Sequence, residues 1–209
     1  MKFIEFKQKI KTLPVFSTGL LSSLTDDVET LKVQLSMWKK KGLIVPIRRG
    51  LYLLNKEDRK IEPSLFYLAN QMFIPSYVSL ESALAYYGLI PEFVAQVTSV
   101  TSRKTCKFKN EVGVFSYQHL HPKCFTGFNN MKELNDLSVL IANPEKAVVD
   151  FLYLNLSKFN ISDRKIFTES YRFQNCEKLN KKKIKAYGNL FGSKKLTSIC
   201  DLFIEELIK

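Results

Sequence analysis

The stretch DVETLKVQLSMWKKKGLIVPIRRGLYLL, residues 27–54, decides the fold of the first part of the chain. Val28, Leu31, Leu35 and Trp38 recur at helical spacing as one apolar stripe. That periodicity predicts a helix from about Asp27 to Lys41, with Gly42 as its C-terminal stop. Trp38 lies on the stripe and is expected in the core. The apolar runs Leu43–Ile47 and Leu51–Leu54 flank Arg48, Arg49 and Gly50, the pattern of a β-hairpin. Pro46 has no amide hydrogen to donate, which assigns its strand to a sheet edge.

Upstream, Phe3, Phe6 and Ile10 predict an amphipathic helix over Lys2–Lys11, stopped by Pro14. Ser17 is a candidate cap for a second helix through Leu24. Thr25 or Asp26 is a candidate cap for the third helix, Asp26 forming a capping-box pattern with Glu29. Three helices followed by a hairpin is the winged helix-turn-helix order. Residues 1–60 are therefore read as a winged helix-turn-helix DNA-binding domain, and the polar stretch Asn55–Glu62, ending at Pro63, as a linker.

Residues 61–209 read as a larger mixed α/β domain with a helical C-terminal end, so the fold class is α+β. Helices are expected over Ser64–Gln71 and over Leu80–Tyr87, the latter capped by Ser79 and closed by Gly88. Strands are expected at Val97–Thr101, Val112–His119 and Leu137–Ala142, where β-branched and aromatic residues concentrate. Asn143, Pro144 and Glu145 spell a helix start. The segment Arg164–Lys209 reads as two or three helices, with Lys181–Lys183 on a solvated face.

The formal net charge of the 209 residues is +12, and residues 1–60 alone carry 13 Lys and Arg against 6 Asp and Glu. Such an excess favours a nucleic acid or an anionic surface as partner. Residues on the outer face of the third helix are candidates for the major groove, which admits an α-helix. Thr30, Gln34 and Met37 can reach base edges, with Val33 on the same face. Lys39, Lys40 and Lys41 are candidates for phosphate contacts, and Arg48 and Arg49 sit at the hairpin tip. A three-helix domain with a merely solvated basic face is the competing interpretation.

Motifs for catalysis or metal binding are weak. His119, His121 and Cys124 lack a nearby fourth ligand for zinc. Gly188–Lys194 has the wrong spacing for a phosphate-binding loop. No nucleophile motif or paired acids stand out, so the expectation is a protein that is not an enzyme and needs no metal or cofactor. Four scattered cysteines, the lack of a signal-like leader and the lack of a long apolar run lead to an expected cytoplasmic location with no membrane partner.

Several landmarks together resemble the AbiE-type abortive-infection antitoxins. They are Leu35–Gly42 running into Ile47–Tyr52, then Pro75–Leu84, Tyr87–Glu92, Val97–Thr101 and Pro144–Ala147, covering roughly residues 15 to 155. The last fifty residues match only loosely. The resemblance implies a transcriptional autorepressor that binds double-stranded DNA at inverted repeats in its own promoter. It also implies an antitoxin that counteracts a nucleotidyltransferase-like toxin, without a stable complex between the two. Two alternatives stand beside it: a stand-alone regulator whose C-terminal domain senses a ligand or partner, and a DNA-targeted enzyme.

Overall fold

The computed structural model describes residues 1–92 and 94–208, and its fold is α+β. The N-terminal unit contains α1 (Phe3–Ile10), a two-residue strand β1 (Phe16–Ser17), a tight turn of helix at Thr18–Ser23, α2 (Val28–Lys40), β2 (Ile44–Arg48) and β3 (Leu51–Leu54). The strands form an antiparallel sheet in the order β1-β3-β2. Pro46 thus lies on an edge strand, as its missing amide hydrogen requires.

Two local details differ from expectation. The predicted helix from Ser17 to Leu24 is a 3-10 helix over Thr18–Ser23, and Ser17 makes no side-chain cap. Gly19 weakens an α-helix there, and Ser22 and Ser23 donate their hydroxyls to the carbonyls three residues back, which favours the tighter winding. The cap of α2 is Asp27, one residue beyond Asp26, and it accepts a hydrogen bond from the Thr30 amide at 3.1 Å. Thr25 instead accepts from the Asp27 amide at 3.3 Å, positioning the capping residue.

Inside the N-terminal unit, Phe6, Ile10, Leu21, Leu31, Leu35 and Trp38 form a closed core. Burying each such aliphatic or phenyl side chain contributes about 1.5–3 kcal/mol. Phe3 and Phe6 pack on the Trp38 ring at centroid distances of 5.3 and 4.8 Å.

The second unit is built on a six-stranded mixed sheet in the order β6-β7-β5-β4-β9-β8. Its elements in chain order are α3 (Leu65–Met72), β4 (Ser76–Val78), α4 (Leu80–Tyr86), β5 (Val97–Thr101), β6 (Cys106–Asn110), β7 (Gly113–His119), β8 (Phe128–Lys132), β9 (Ser138–Ala142), α5 (Pro144–Leu154), α6 (Lys181–Leu190) and α7 (Lys194–Leu207). Parallel pairing joins β4 to β9 and β5 to β7; the remaining neighbours are antiparallel. Asn143 caps α5 by accepting from the Lys146 amide at 2.9 Å, with Pro144 in the first turn. The C-terminal segment holds two α-helices, with Lys181, Lys182 and Lys183 exposed.

In the second unit the strands β4, β6 and β8 were not expected, nor was β1 in the first. β6 and β8 are the two edges of the sheet, and each carries poor strand formers: Lys107 and Lys109 in one, Asn129 and Asn130 in the other. β4 has only three residues, all buried, and its pairing partners lie far along the chain.

The N-terminal sheet is covered on both faces. In β3, Tyr52 and Leu54 face the N-terminal core, while Leu51 and Leu53 face the core of the second unit. In β2, Ile44 faces the first core, while Val45 and Ile47 face the second. This is the period-2 alternation of a strand, with apolar side chains on both sides. Around the expected linker, Lys7 and Asp58 form an ion pair at 2.7 Å and the Asn55 amide donates to the Leu43 carbonyl at 3.1 Å, so that segment is folded back on the N-terminal unit.

At the centre of the second unit lies a sealed polar cluster. Lys146 and Asp150, one helical turn apart on α5, form a fully buried ion pair. The Asp150 carboxylate also accepts from the Tyr77 hydroxyl and the Ser79 hydroxyl, each at 2.9 Å, and the Lys146 ammonium donates to the Tyr77 oxygen at 3.0 Å. Burial pushes the Asp150 carboxyl above the usual carboxylate range, against the pull of Lys146 and of the donated hydroxyls. The expected Ser79 cap on α4 is absent because its hydroxyl serves this cluster. Gly127, at φ +78°, brings the chain so close that a Cβ there would lie 2.8 Å from the Tyr187 ring.

Breaking a buried ion pair by removing one partner strands the other charge. Lys146→Met is expected to cost about 3–5 kcal/mol in chemical denaturation, and Lys146→Met with Asp150→Leu to recover most of that loss. A double variant as unstable as the single one shows that the pair itself, not a stranded charge, sets the stability.

Candidate nucleic-acid interface

The outer side of α2 is solvent-accessible. Thr30, Val33, Met37, Lys39, Lys40 and Lys41 are exposed, and Val33 and Met37 retain 63 % and 48 % of their surface. Trp38 retains 6 % and faces inward, so the sequence periodicity divides the helix correctly between core and surface. Gln34 is half-buried, and its side-chain oxygen accepts from the N-terminal ammonium at 3.4 Å.

Charge is graded along α2. Asp26, Asp27 and Glu29 stand at its N-terminal end, and Lys39, Lys40 and Lys41 at its C-terminal end. This arrangement suits the helix dipole and places the anion-attracting end at the base of the hairpin. Lys32 is paired with Glu29 at 2.6 Å. A cleft of about 220 Å³ beside α2 is lined by Thr18, Lys32, Ser36, Lys39 and Tyr52. Lys32 and Ser36 were not among the expected site residues, although their spacing to Lys39 is that of one helix face.

The hairpin tip is exposed yet anchored. Gly50, at φ +77°, allows the tight turn, and its carbonyl accepts from the Thr18 amide at 2.9 Å. The Arg48 guanidinium donates to the Met72 carbonyl, and Asn110 donates its amide to the Ile47 carbonyl at 2.7 Å. Both partners belong to the second unit. A second cleft, of about 230 Å³, is lined by Arg48, Arg49 and Arg103 together with Ser17, Gln71 and Ile74. Arg103 lies over the Phe73 ring at 4.3 Å and donates to the Ile74 carbonyl at 3.1 Å. Three arginines thus line one cleft, and Arg48 and Arg103 are oriented by backbone carbonyls that leave further N–H groups for other acceptors. Folding alone brings Arg103 here; nothing near it in the sequence signals the association.

The other candidate chemistry is dispersed. His119 Nδ1 lies 2.9 Å from the Arg103 carbonyl, His121 Nδ1 accepts from the Lys123 amide at 3.3 Å, and the Cys124 thiol donates to the Leu190 carbonyl at 3.5 Å. Among the described residues no three His, Cys, Asp or Glu side chains gather as a metal site, and no helix is long and apolar enough to cross a membrane. The four cysteines are unpaired thiols.

Asp27 reports on the geometry of α2. Its hydrogen bonds with the Thr30 hydroxyl and then the Thr30 amide hold its carboxyl below the ordinary value of 3.8. A depressed carboxyl stabilises the fold above its unfolded-state value, and that contribution disappears as pH falls through the folded-state value. Asp27→Ala is therefore expected to lower the thermal midpoint of this unit at neutral pH, read from the single tryptophan, Trp38. The difference from the wild type should vanish on acidification, and a pH-independent difference would exclude the cap as its origin.

No protein-family model and no curated protein matches this chain.

Proposed function

We infer that the chain is a DNA-binding transcriptional regulator whose N-terminal unit works as a winged helix. α2 enters the major groove and the β2–β3 turn lies against the backbone. The observation that carries this is the exposed outer side of α2, with basic residues at its C-terminal end, where the chain enters a hairpin whose tip bears two arginines. Support comes also from the helix–strand–turn–helix–hairpin order and the β1-β3-β2 sheet, an arrangement suited to presenting a single helix and a turn to one surface.

Roles divide by chemistry. Lys39, Lys40, Lys41 and Arg49 supply phosphate contacts, which give affinity without sequence information. Thr30, Val33 and Met37 offer methyl groups to thymine, and Gln34 can pair with adenine once it releases the N-terminal ammonium. Arg48, held on the second unit by the Met72 carbonyl, fixes the turn and adds charge at the hairpin tip.

The resemblance to AbiE-type antitoxins extends the proposal. Residues 61–209 then carry the antagonism of a nucleotidyltransferase-like toxin, and the DNA target is an inverted repeat in the protein's own promoter. The landmarks Pro75–Leu84 and Pro144–Ala147 contain Tyr77, Ser79 and Lys146 of the buried polar cluster, which favours a structural role for those motifs. An adjacent gene for such a toxin would support the antitoxin role.

Binding is tested by fluorescence anisotropy with the protein's own upstream DNA and with random duplex. Arg49→Ala and Lys39→Ala are expected to weaken both alike and to reduce the salt slope by about one each. Gln34→Ala is expected to lower discrimination by about 1–3 kcal/mol. Equal losses on the two DNAs remove Gln34 from base readout, and no salt-dependent binding to either DNA overturns the proposal.

A further inference from the structure

The hairpin tip meets the second unit at the C-terminal end of α3. Carbonyls at such an end lack helical partners and carry partial negative charge. Two arginines converge there. Arg48 of the hairpin donates to the Met72 carbonyl, and Arg103 of the β5–β6 loop donates to the Ile74 carbonyl at 3.1 Å. Arg103 is also fixed by its other neighbours. Its amide donates to the Thr101 hydroxyl at 3.1 Å, its guanidinium lies over the Phe73 ring, and His119 Nδ1 lies 2.9 Å from its carbonyl. Each guanidinium spends one N–H on a carbonyl and keeps the rest of its fork.

Both side chains share with Arg49 the cleft of about 230 Å³. All three arginines are exposed, and no acid lines the cleft among the described residues. None of the ion pairs among the described residues involves them. Like charges gathered without a counter-charge repel, and an anion seated between them relieves that cost. The volume falls below the ~300–1,000 Å³ typical of sites for whole small molecules, so it suits one small anionic group. Position points to the source of the anion. The cleft beside α2 is lined by Thr18 and Tyr52, the residues next in sequence to Ser17 and Leu51 of this one. The two clefts therefore adjoin at the β1 edge of the N-terminal sheet, with Lys32 and Lys39 on one side and the arginines on the other.

We propose that this cleft seats a backbone phosphate of the bound duplex, gripped by Arg49 from the hairpin and by Arg103 from the second unit. A planar guanidinium matches phosphate oxygens in pairs. Arg103 loses little freedom on binding, because the Phe73 ring and the Ile74 carbonyl already orient it. The second unit thereby becomes part of the DNA interface. The inference rests on the winged-helix reading above and adds to it a residue outside the winged helix. A free phosphate ion offers the same chemistry, and the test separates the two sources.

The full chain is compared as wild type, Arg103→Gln and Arg103→Lys by anisotropy across a range of salt, with its own upstream DNA and with random duplex. Arg103→Gln is expected to weaken both DNAs alike by about tenfold and to lower the salt slope by about one. Arg103→Lys keeps the charge and is expected to keep the wild-type slope. Ethylating backbone phosphates singly should reveal a position that blocks the wild type but leaves Arg103→Gln indifferent. A lowered thermal midpoint in Arg103→Gln with an unchanged slope and ethylation pattern reduces Arg103 to a cap on α3 and overturns the proposal. A slope lowered equally in Arg103→Lys traces the effect to lost anchoring and overturns it too. So does calorimetric binding of inorganic phosphate that Arg103→Gln abolishes while its DNA slope stays at the wild-type value, which gives the cleft to the free ion. Absence of salt-dependent binding by the wild type overturns the regulator proposal as well, whereas the other adverse outcomes leave that proposal standing.

Discussion

The structure depends on a three-stranded sheet that has no solvent face. A strand offers its side chains alternately to two sides, and β3 places Tyr52 and Leu54 in one core and Leu51 and Leu53 in the other. A slip of one residue would exchange the two sets, so register and docking are specified together. The hairpin therefore cannot move as a free wing. Its tip is held by Asn110 on Ile47 and by Arg48 on Met72, and the position of α2 relative to the second unit follows from that attachment.

A different constraint organises the second unit. Its sheet and helices meet around Tyr77, Ser79, Lys146 and Asp150, contributed by β4, the β4–α4 junction and α5. Buried charges demand near-complete hydrogen bonding, and this cluster admits few alternative packings. Leu80 adopts φ +57° immediately after Ser79, a conformation that costs a residue with a Cβ, beside a serine whose hydroxyl is held by Asp150. The small strand β4 owes its place to this cluster as much as to its own pairing.

Charge is unevenly spread over the surface. The C-terminal end of α2 and the arginines at the seam between the units concentrate positive charge where a polyanion can approach. A cleft of the second unit lined by Glu81 and Glu92 carries both signs of charge, because Lys107 lines it too and Glu92 is paired with Arg172.

Much of the first unit was legible in the sequence. The stripe through Leu31, Leu35 and Trp38, the stop at Gly42, the edge position of Pro46 and the Asn143 cap are properties of a few consecutive residues, so local periodicity and capping chemistry determine them. The exposed side of α2 follows from the same stripe. Tertiary structure alone decided the rest. Lys107, Lys109, Asn129 and Asn130 become strand residues because neighbouring strands offer them backbone partners. Arg103 reaches Arg48 and Arg49, and Glu81 reaches Glu92 and Tyr171, only when segments distant in sequence are packed together. Periodicity records which way a side chain points from its own backbone; it carries no record of which distant side chain it will meet.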